Sequence, residues 1–482
     1  MKLSYLSILL LFLFPFFVFF MTRGIITHDE GYILFSSEKL INGLLPYRDF
    51  HFVYTPLSLF LTSLSFIVFK TSVLSSRILM IAIAMLSSLL IYKLVILSTK
   101  NKLYATIAVL IFAGWGPTHI NFSWPVIYSI FTGLLTCYLL LKFLSTRIIS
   151  FLVLAGLSSF LIFLAKQNFG IAFMIPIVTF FIIPNARSTK YIFPFLFGYI
   201  WGFIFFALYL LQTQSFAPFI NDLYIFTLKR IIIDSKLTTQ FIYQDSLLKM
   251  ILRTTIYLLP AITSAAAFVL LLIRRRFHLL YLSLFVVVFY IAGIRPTTDY
   301  IHLVPLLSLI GIPIALFLRY NISSTIRLLI LLFSFFIIIL GFQTALFKGY
   351  YRWDSPLIDH NFFYNNSKVN IFINGKTNYE FTELTRIVDE KTKKGDYILV
   401  NSYSPMLYFV TQRQEPTKNN YLTAGVDPEG YYKEVLGNLV AKKVKVVILD
   451  HNSINSLPIK NFLLVNYHHE KTVQDFDIYF RN

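Results

Sequence analysis

The sequence predicts an α-helical polytopic membrane protein with a soluble α/β domain at its C-terminus. Of its 482 residues, 57% are hydrophobic and only 13% are charged, and the mean hydropathy is +0.69. A soluble domain carries about 25% charged residues. Apolar runs such as 3–21 and 328–347 are long enough to cross roughly 30 Å of hydrocarbon as helices. Most of the chain is therefore expected to lie in a bilayer.

The formal net charge of +19 indicates membrane contacts and not nucleic acid. Basic residues lie mainly between the apolar runs, where they act as orientation signals and contact lipid headgroups. We therefore expect membrane lipids, and no nucleic acid, among the partners. The single cysteine, Cys137, lies inside an apolar run, which excludes an intrachain disulfide and favours a packing role.

About eleven transmembrane helices are predicted, the first of them uncleaved because no small-x-small pattern follows it. The spans are 3–21, 76–97, 103–117, 124–143, 150–165, 170–184, 191–211, 254–273, 278–294, 303–318 and 328–347. Connections on one side carry most of the basic residues, namely Lys2, Lys93, Lys100, Lys102, Lys142, Arg147, Arg187, Lys190, Arg274, Arg275, Arg276, Arg319 and Arg327. The positive-inside rule places that side, and the N-terminus, in the cytoplasm. Residues 22–75, 212–253 and 348–482 are then extracytoplasmic.

Three shorter segments need separate interpretation. Residues 55–69 follow a proline and are short for a crossing, so we predict a re-entrant or interfacial helix on the outer face. Spans 150–165 and 170–184 meet at Lys166, which favours two short crossings with a polar apex outside; one long buried helix is the alternative. Residues 212–253 are amphipathic and are expected to lie on the outer membrane surface. The apolar side carries Phe219, Leu223, Phe226 and Ile231, and the polar side carries Asp222, Lys229 and Arg230.

Composition changes near Lys348, which divides the chain into a membrane domain, 1–347, and an extracytoplasmic α/β domain, 348–482. Helices are predicted at 380–393, 404–411 and 430–442, and strands at 397–400, 444–449 and 476–480. This alternation favours a small α/β domain with parallel strand pairing. The domain contains no phosphate loop or nucleophile elbow, so we expect a lid or scaffold and not a second enzyme.

The first outer loop, 22–75, carries the candidate chemistry. Asp29 and Glu30 follow the first span directly, where carboxylates are costly and usually functional. A helix is predicted over 30–40 with Gly43 as its stop signal, which puts Asp29 at the helix N-terminus, where the macrodipole favours the ionised form. Asp29 is then either a helix cap or a general base that accepts a proton from a hydroxyl. Chemistry alone does not separate these two roles.

The order of motifs resembles the GT-C membrane glycosyltransferases, in particular glycosyltransferase family 39, with the protein O-mannosyltransferases, and the aminoarabinose transferases. Beside the acidic pair, the similar segments are Gly43-Leu44-Leu45-Pro46-Tyr47-Arg48-Asp49, Tyr54-Thr55-Pro56-Leu57, Ala165-Lys166-Gln167-Asn168-Phe169-Gly170, Arg295-Pro296-Thr297-Thr298-Asp299-Tyr300-Ile301-His302 and Gly395-Asp396-Tyr397-Ile398-Leu399-Val400. Many relatives show Lys-Pro-Pro where this chain has Tyr54-Thr55-Pro56. A lysine contact is therefore missing here.

The resemblance implies a sugar donor linked to a polyprenyl phosphate and transfer to an acceptor hydroxyl with inversion on the extracytoplasmic face. It implies that Asp29 is the base and that Glu30 supports the base or the acceptor. Candidate cations for the leaving phosphate are Arg48, Lys166, Arg295 and His302. Residues assigned to positioning of the acceptor or the loop are His28, Tyr32, Tyr47, Asp49 and Tyr54.

Each cation also has a structural alternative. Arg48 could pair locally with Asp49, Lys166 and Arg295 could anchor at the headgroups, and His302 could simply pack against its helix. No cofactor or metal site is predicted, although some GT-C relatives use a divalent ion, which Asp29 and Glu30 could bind.

Two other classes of function stay open. A transporter or flippase for a lipid-linked saccharide, or a non-catalytic GT-C-like protein that binds a glycan, would share the membrane architecture. The acceptor can be a protein, a lipid or a glycan. The expected location is the plasma (inner) membrane.

Overall fold

The computed structural model describes residues 4–182, 189–226, 246–294, 300–320, 323–348, 355–401, 404–418, 429–450 and 457–482. In the N-terminal part its helices are α1 (Tyr5–Met21), α2 (Asp29–Ile41), α3 (Leu57–Phe69), α4 (Val73–Thr99), α5 (Lys102–Trp115), α6 (Pro125–Thr146), α7 (Ser150–Ala165), α8 (Gln167–Ile182), α9 (Thr189–Gln212), α10 (Phe216–Ile220), α11 (Leu247–Ile273), α12 (Leu280–Ile294), α13 (Tyr300–Leu307), α14 (Gly311–Tyr320) and α15 (Ser324–Phe347). A π-helix (Asn221–Phe226) follows α10, and 3₁₀ turns precede α12 and α14.

Apolar helices dominate this part of the molecule, as predicted. Among the described residues, seven helical segments are long and apolar enough to cross a membrane, and five shorter apolar helices of 10–17 residues accompany them. Outward-facing residues on α9 and α15 are large and apolar, for example Phe197, Phe205, Leu329 and Phe335. Helices that are apolar on their outward faces are stable only in lipid. The multi-pass membrane class is confirmed, and the number of crossings stays a prediction.

The short segments fold as separate helices. Residues 57–69 form α3 directly after Pro56, and α7 and α8 are distinct helices that break at Lys166. A β-carbon added to Gly170 would lie 2.4 Å from the Cα of Phe163, so glycine lets α8 approach α7 closely. The break expected at the polar apex is therefore present.

The C-terminal part begins with a 3₁₀ turn (Leu357–Asp359) and continues with β1 (Phe362–Tyr364), β2 (Ile371–Ile373), α16 (Gly375–Lys391), β3 (Leu399–Asn401), α17 (Met406–Thr411), α18 (Glu429–Ala441), β4 (Val446–Asp450), α19 (Leu457–Asn466), β5 (Tyr467–Val473) and β6 (Phe476–Arg481). The main sheet has the strand order β3-β4-β6-β5. Only β3 and β4 pair in parallel, whereas β4–β6 and β5–β6 are antiparallel. The expected α/β domain is present, but the expectation of parallel pairing was incomplete because β6 returns through a hairpin from β5.

One hydrophobic core joins the C-terminal sheet to the loop 22–75. Leu34 and Phe35 of α2 belong to the same buried cluster as Leu407 and Phe409 of α17. The backbone of Phe372 in β2 also exchanges hydrogen bonds with the segment after α1, accepting from Gly24 N at 2.9 Å and donating to Thr22 O at 2.9 Å. The division of the chain at residue 347 therefore stays a prediction from the sequence. In the structure the two parts share one hydrophobic core and backbone hydrogen bonds.

The predicted amphipathic segment 212–253 is described up to residue 226 and again from 246, and Ile231, Lys229 and Arg230 lie outside the described residues. Within the described part, Phe219 and Leu223 are buried as expected. Asp222, which was expected on the polar face, is also buried. Its carboxylate accepts hydrogen bonds from His51 Nδ1 at 2.9 Å and from the backbone of Phe52 at 3.3 Å, and these contacts repay its desolvation.

Candidate active site

Asp29 is the first residue of α2, the position that the sequence predicts. Its side chain is 12% exposed, and its Oδ1 accepts a hydrogen bond from His28 Nδ1 at 2.8 Å. The free N–H groups of a helix N-terminus and the macrodipole favour an ionised carboxylate there. His28, the N-cap, makes no side-chain capping bond, so its imidazole is committed to the carboxylate and not to the helix backbone. The structure thus gives Asp29 a fixed orientation.

Glu30 is buried and faces away from water. Arg77 of α4, itself fully buried, donates through Nε and one Nη to the two carboxylate oxygens of Glu30, each at 2.7 Å. Arg77 also donates to the carbonyls of Met21 at 3.3 Å and Gly24 at 3.0 Å. This two-point geometry is the strongest form of an ion pair in proteins. It ties the first turn of α2 to α4 and to the end of α1.

The turn at Pro46–Asp49 is built around an unusual backbone. Tyr47 has φ 67°, a left-handed conformation that is strained for a bulky residue. Its ring is fully buried, and its hydroxyl donates to the carbonyl of Tyr54 at 2.7 Å. The packing of the buried ring and the hydrogen bond of the hydroxyl hold the turn in place. Burial also raises the pKa of Tyr47 well above its usual value.

Arg48 forms a local ion pair with Asp49, which was the alternative to its predicted role in phosphate binding. Its guanidinium donates to both carboxylate oxygens of Asp49 at 2.9 Å each, and a third bond reaches the carbonyl of Thr213 at 3.4 Å, after α9. The side chain of Arg48 is 41% exposed. Hydrogen bonding by Arg48 holds the pKa of the Asp49 carboxyl below its ordinary value. Arg48 therefore lies at the surface with a charge that its neighbour largely offsets.

Aromatic rings connect α2 to the later helices. Tyr32 stacks on Phe52 with centroids 5.5 Å apart and meets Tyr54 edge-on at 6.2 Å. Tyr54 in turn contacts Trp124 at 5.3 Å, and Trp124 contacts His302 at 6.1 Å. Tyr32, three residues after Asp29, thus begins a continuous row of rings that ends at His302. The structure brings these residues, far apart in sequence, into one cluster.

Three buried polar atoms beside this cluster have no hydrogen-bond partner among the described residues: Trp124 Nε1, Thr55 Oγ1 and Ser58 Oγ. Thr55 precedes α3, and Ser58 lies in its first turn. A buried donor left unpaired costs about 1–3 kcal/mol, so such groups in a native protein call for a water or a ligand. The start of α3 also presents unsatisfied backbone N–H groups. The start of α3, with Thr55 and Ser58, and the indole of Trp124 thus carry donors of the kind that bind oxygen-rich anions.

Lys166 lies at the break between α7 and α8 and is buried, with its ammonium 5.4 Å from the centroid of the Phe169 ring. Asn168 donates to the carbonyl of Ala292 in α12 at 2.9 Å. A β-carbon added to the next residue, Gly293, would lie 3.2 Å from the carbonyl oxygen of His302. The apex that carries Lys166 therefore packs beside the helix end that adjoins His302.

Arg295 lies outside the described residues, so its predicted role stays untested. Arg77 was missed, although an arginine near the start of an apolar span is itself a signal of function. Trp124, His51 and Asp222 were also missed, and only the fold brings them to the loop. Among the described residues, no group of three or more His, Cys, Asp or Glu side chains is placed to hold a metal ion.

Comparison with known proteins gives no match to any protein-family model or any curated protein sequence. Solved structures do match. ArnT from Cupriavidus metallidurans bound to undecaprenyl phosphate is similar with a TM-score of 0.59 and 11% identity over 98% of this chain and 97% of that one. The apo form of the same protein gives 0.54 at 12% identity, over 98% and 96% of the two chains.

The archaeal oligosaccharyltransferase AglB from Archaeoglobus fulgidus, in complex with an inhibitory peptide and a dolichol-phosphate, gives a TM-score of 0.56 at 14% identity, over 99% of this chain and 74% of that one. Identities this low establish a shared fold and nothing finer. The chain has the fold of these GT-C glycosyltransferases, and the resemblance expected from the motifs is confirmed at that level.

Proposed function

We propose that this protein is a membrane glycosyltransferase that moves a sugar from a polyprenyl-phosphate-linked donor to an acceptor hydroxyl at the extracytoplasmic face. The observation that carries the proposal is the placement of Asp29. It opens α2 with a fixed, partly exposed carboxylate, in a fold shared with a structure bound to undecaprenyl phosphate.

The proposed reaction needs a base and a stabilised leaving group. The acceptor oxygen forms a bond to the anomeric carbon as the bond from that carbon to the phosphate oxygen breaks, and the phosphate leaves with the electron pair. Asp29 accepts the proton of the acceptor hydroxyl. Attack opposite to the leaving group inverts the anomeric centre. A positioned base contributes about 10²–10⁴-fold to such a step.

His28 and Glu30 support the base in different ways. The hydrogen bond from His28 orients the carboxylate of Asp29. Glu30 holds the first turn of α2 through Arg77, and because both of its oxygens accept from that guanidinium, we assign it to positioning and not to proton transfer. Asp29 alone is then the proton acceptor.

The leaving phosphate is assigned to the corner at the start of α3. Thr55 and Ser58 stand near the place where many relatives have a lysine, and their hydroxyls, with the indole N–H of Trp124, are buried donors suited to phosphate oxygens. Lys166 supplies positive charge from the neighbouring apex, and His302 is a candidate hydrogen-bond donor at the neighbouring helix end. Arg48, 41% exposed and paired with Asp49, and Arg295 are outer candidates for the same phosphate.

The test is sugar transfer in membranes supplied with polyprenyl-phospho-sugars. We expect Asp29→Asn to lower transfer about 100-fold or more at unchanged expression, because the amide keeps the shape of the carboxylate but does not accept the proton. Asp475→Asn, in an exposed pair with Lys376, is the matched control and should keep full activity.

Transfer that is unchanged in Asp29→Asn would exclude Asp29 as the base. Transfer that persists without a lipid-linked donor would exclude the donor class. Movement of the donor across the membrane with no transfer product would favour a transporter instead.

A further inference from the structure

Residues 404–418 of the C-terminal domain, here called the strap, lie along the loop that carries Asp29. The strap contains α17 (Met406–Thr411) and ends at Lys418. At its start, Met406 N donates to the carbonyl of Thr27 at 3.1 Å, two residues before Asp29. At its end, Lys418 O accepts from His51 N at 2.9 Å. The strap therefore contacts both ends of the segment 27–51.

Between these ends the strap packs closely on α2. A β-carbon at Gly31 would lie 2.3 Å from the backbone nitrogen of Met406, so only glycine permits this approach. The ring of Tyr408 stacks on that of Phe35 at 5.0 Å. These contacts leave α2 no room to shift toward the C-terminal domain.

A buried ion pair adds to the contact between the strap and α2. Lys39, at the end of α2, pairs with Glu415 of the strap, and the two side chains are 8% and 4% exposed. Burial lowers the pKa of Lys39 and raises that of Glu415, and in each case the partner's charge opposes the shift. Burial therefore disfavours each charge and the partner's charge offsets that cost, so loss of one leaves the other costly to keep there.

The strap is also fixed to its own domain. Val400 N of β3 donates to the hydroxyl of Tyr408 at 2.8 Å, and Ile398 N donates to the carbonyl of Gln414 at 3.1 Å. Lys442 donates to the carbonyl of Pro416 at 2.7 Å. Hydrogen bonds from β3, from the residue before it and from the residue after α18 thus fix the strap to its own domain.

We infer that the strap positions Asp29, and that Lys39 and Glu415 are positioning residues for the reaction proposed above, on which this inference rests. The C-terminal domain is then a part of the active site and not a separate appendage. The pair acts through the orientation of α2, with no contact to substrate. Its loss is expected to slow the chemical step and to leave donor binding nearly unchanged.

The first test is Glu415→Gln, which keeps the shape of the side chain and leaves Lys39 without its counter-charge. We expect kcat for sugar transfer to fall about 10- to 100-fold, since displacement of a catalytic group by about 1 Å has an effect of this size. The KM for the lipid-linked donor should stay within about twofold. Hydrogen exchange at the amides of 29–41 should become faster. Glu470→Gln, an exposed glutamate of β5, is the control and should change neither quantity.

A double variant distinguishes a positioning role of Lys39 and Glu415 from a direct role in the reaction. Lys39→Met combined with Glu415→Leu removes both charges and keeps bulk, so protection of α2 and kcat should return to within about threefold of the parent. If protection returns and kcat stays low, Glu415 acts on the reaction directly and the inference is overturned. An unchanged kcat in Glu415→Gln overturns it as well.

A second variant covers the case in which Glu415→Gln does not accumulate. Gly31→Ala places a methyl group against Met406 and should lower kcat with the ion pair intact, whereas Gly437→Ala, where a β-carbon meets no atom within 4 Å, should be silent. Normal kcat in Gly31→Ala would contradict the role of the strap. If the parent protein transfers no sugar, the proposed function fails by itself. In that case, unchanged hydrogen exchange at the amides of 29–41 in Glu415→Gln would still show that the strap does not restrain α2.

Discussion

Ion pairs in the loop 22–75 differ in their burial from those on the exposed surface of the C-terminal domain. The pair of Glu30 with Arg77 is 1% and 0% exposed, whereas that of Arg386 with Glu390 is 50% and 55% exposed. Both pairs have short contacts between opposite charges. Only the first removes its charges from water, which costs several kcal/mol per ion before any attraction is counted.

This contrast indicates which charges hold the site. An exposed pair contributes little because water solvates either partner equally well when they separate. A buried pair penalises every arrangement in which its partners separate, so it specifies position even where it adds little net stability. Here the buried pairs connect the first turn of α2, which carries Asp29, to α4 and the last turn of α2 to the strap. The loop is therefore built for fixed geometry, while α16 is built for solubility.

The largest effect is expected from Arg77→Met. The substitution leaves the carboxylate of Glu30 buried without its partner, and loss of one member of a buried pair costs about 3–5 kcal/mol. We expect a marked fall in the thermal midpoint of the purified protein and little sugar transfer. Adding Glu30→Gln, which retains an acceptor for the backbone of Ile26, should recover most of the stability. Equal melting of parent and Arg77→Met would remove the distinction between the two regions.

A smaller effect is expected from pH. Burial, with smaller contributions from Arg77 and Arg23, lowers the pKa of His360 to about 4, while the Ser355 carbonyl and Asp359 oppose the shift. In the unfolded chain the pKa is about 6.5. Between these values the unfolded state binds more protons, so stability falls as the pH falls. From pH 7 to pH 5 the thermal midpoint should drop about 2–4 °C more in the parent than in His360→Gln. Equal slopes would show that His360 is not titrating from a buried neutral state.

The sequence predicts the membrane helices well because lipid imposes one rule, a long apolar run, on each of them. The start of α2 was also predictable, since the acidic pair and Gly43 are local signals. The ion pairs were not. Glu30 and Arg77 are 47 residues apart, and Lys39 and Glu415 are 376 apart, so no local pattern links them.

β5 was missed for a different reason. Its five central residues are all exposed and only Tyr467 and Val473 are buried, so the strand lacks the alternation that marks a half-buried strand. Because β5 was not predicted, the β5–β6 hairpin could not be predicted either. Parallel pairing of the three predicted strands was the expectation that remained. The aromatic row from Tyr32 to His302 likewise depends on loops that only the fold brings together.

The smallest effect is expected from Glu390→Gln, which removes one partner of the exposed pair with Arg386. Arg386 also donates to Glu383 at 3.0 Å, so its charge keeps a second acceptor in addition to water. We expect the thermal midpoint to change by less than about 1 °C and sugar transfer to be unchanged. Melting curves of Glu390→Gln and Glu415→Gln side by side compare the same chemical substitution at an exposed and a buried site. If the exposed variant were as damaging as the buried one, burial would not be what gives the loop its fixed geometry.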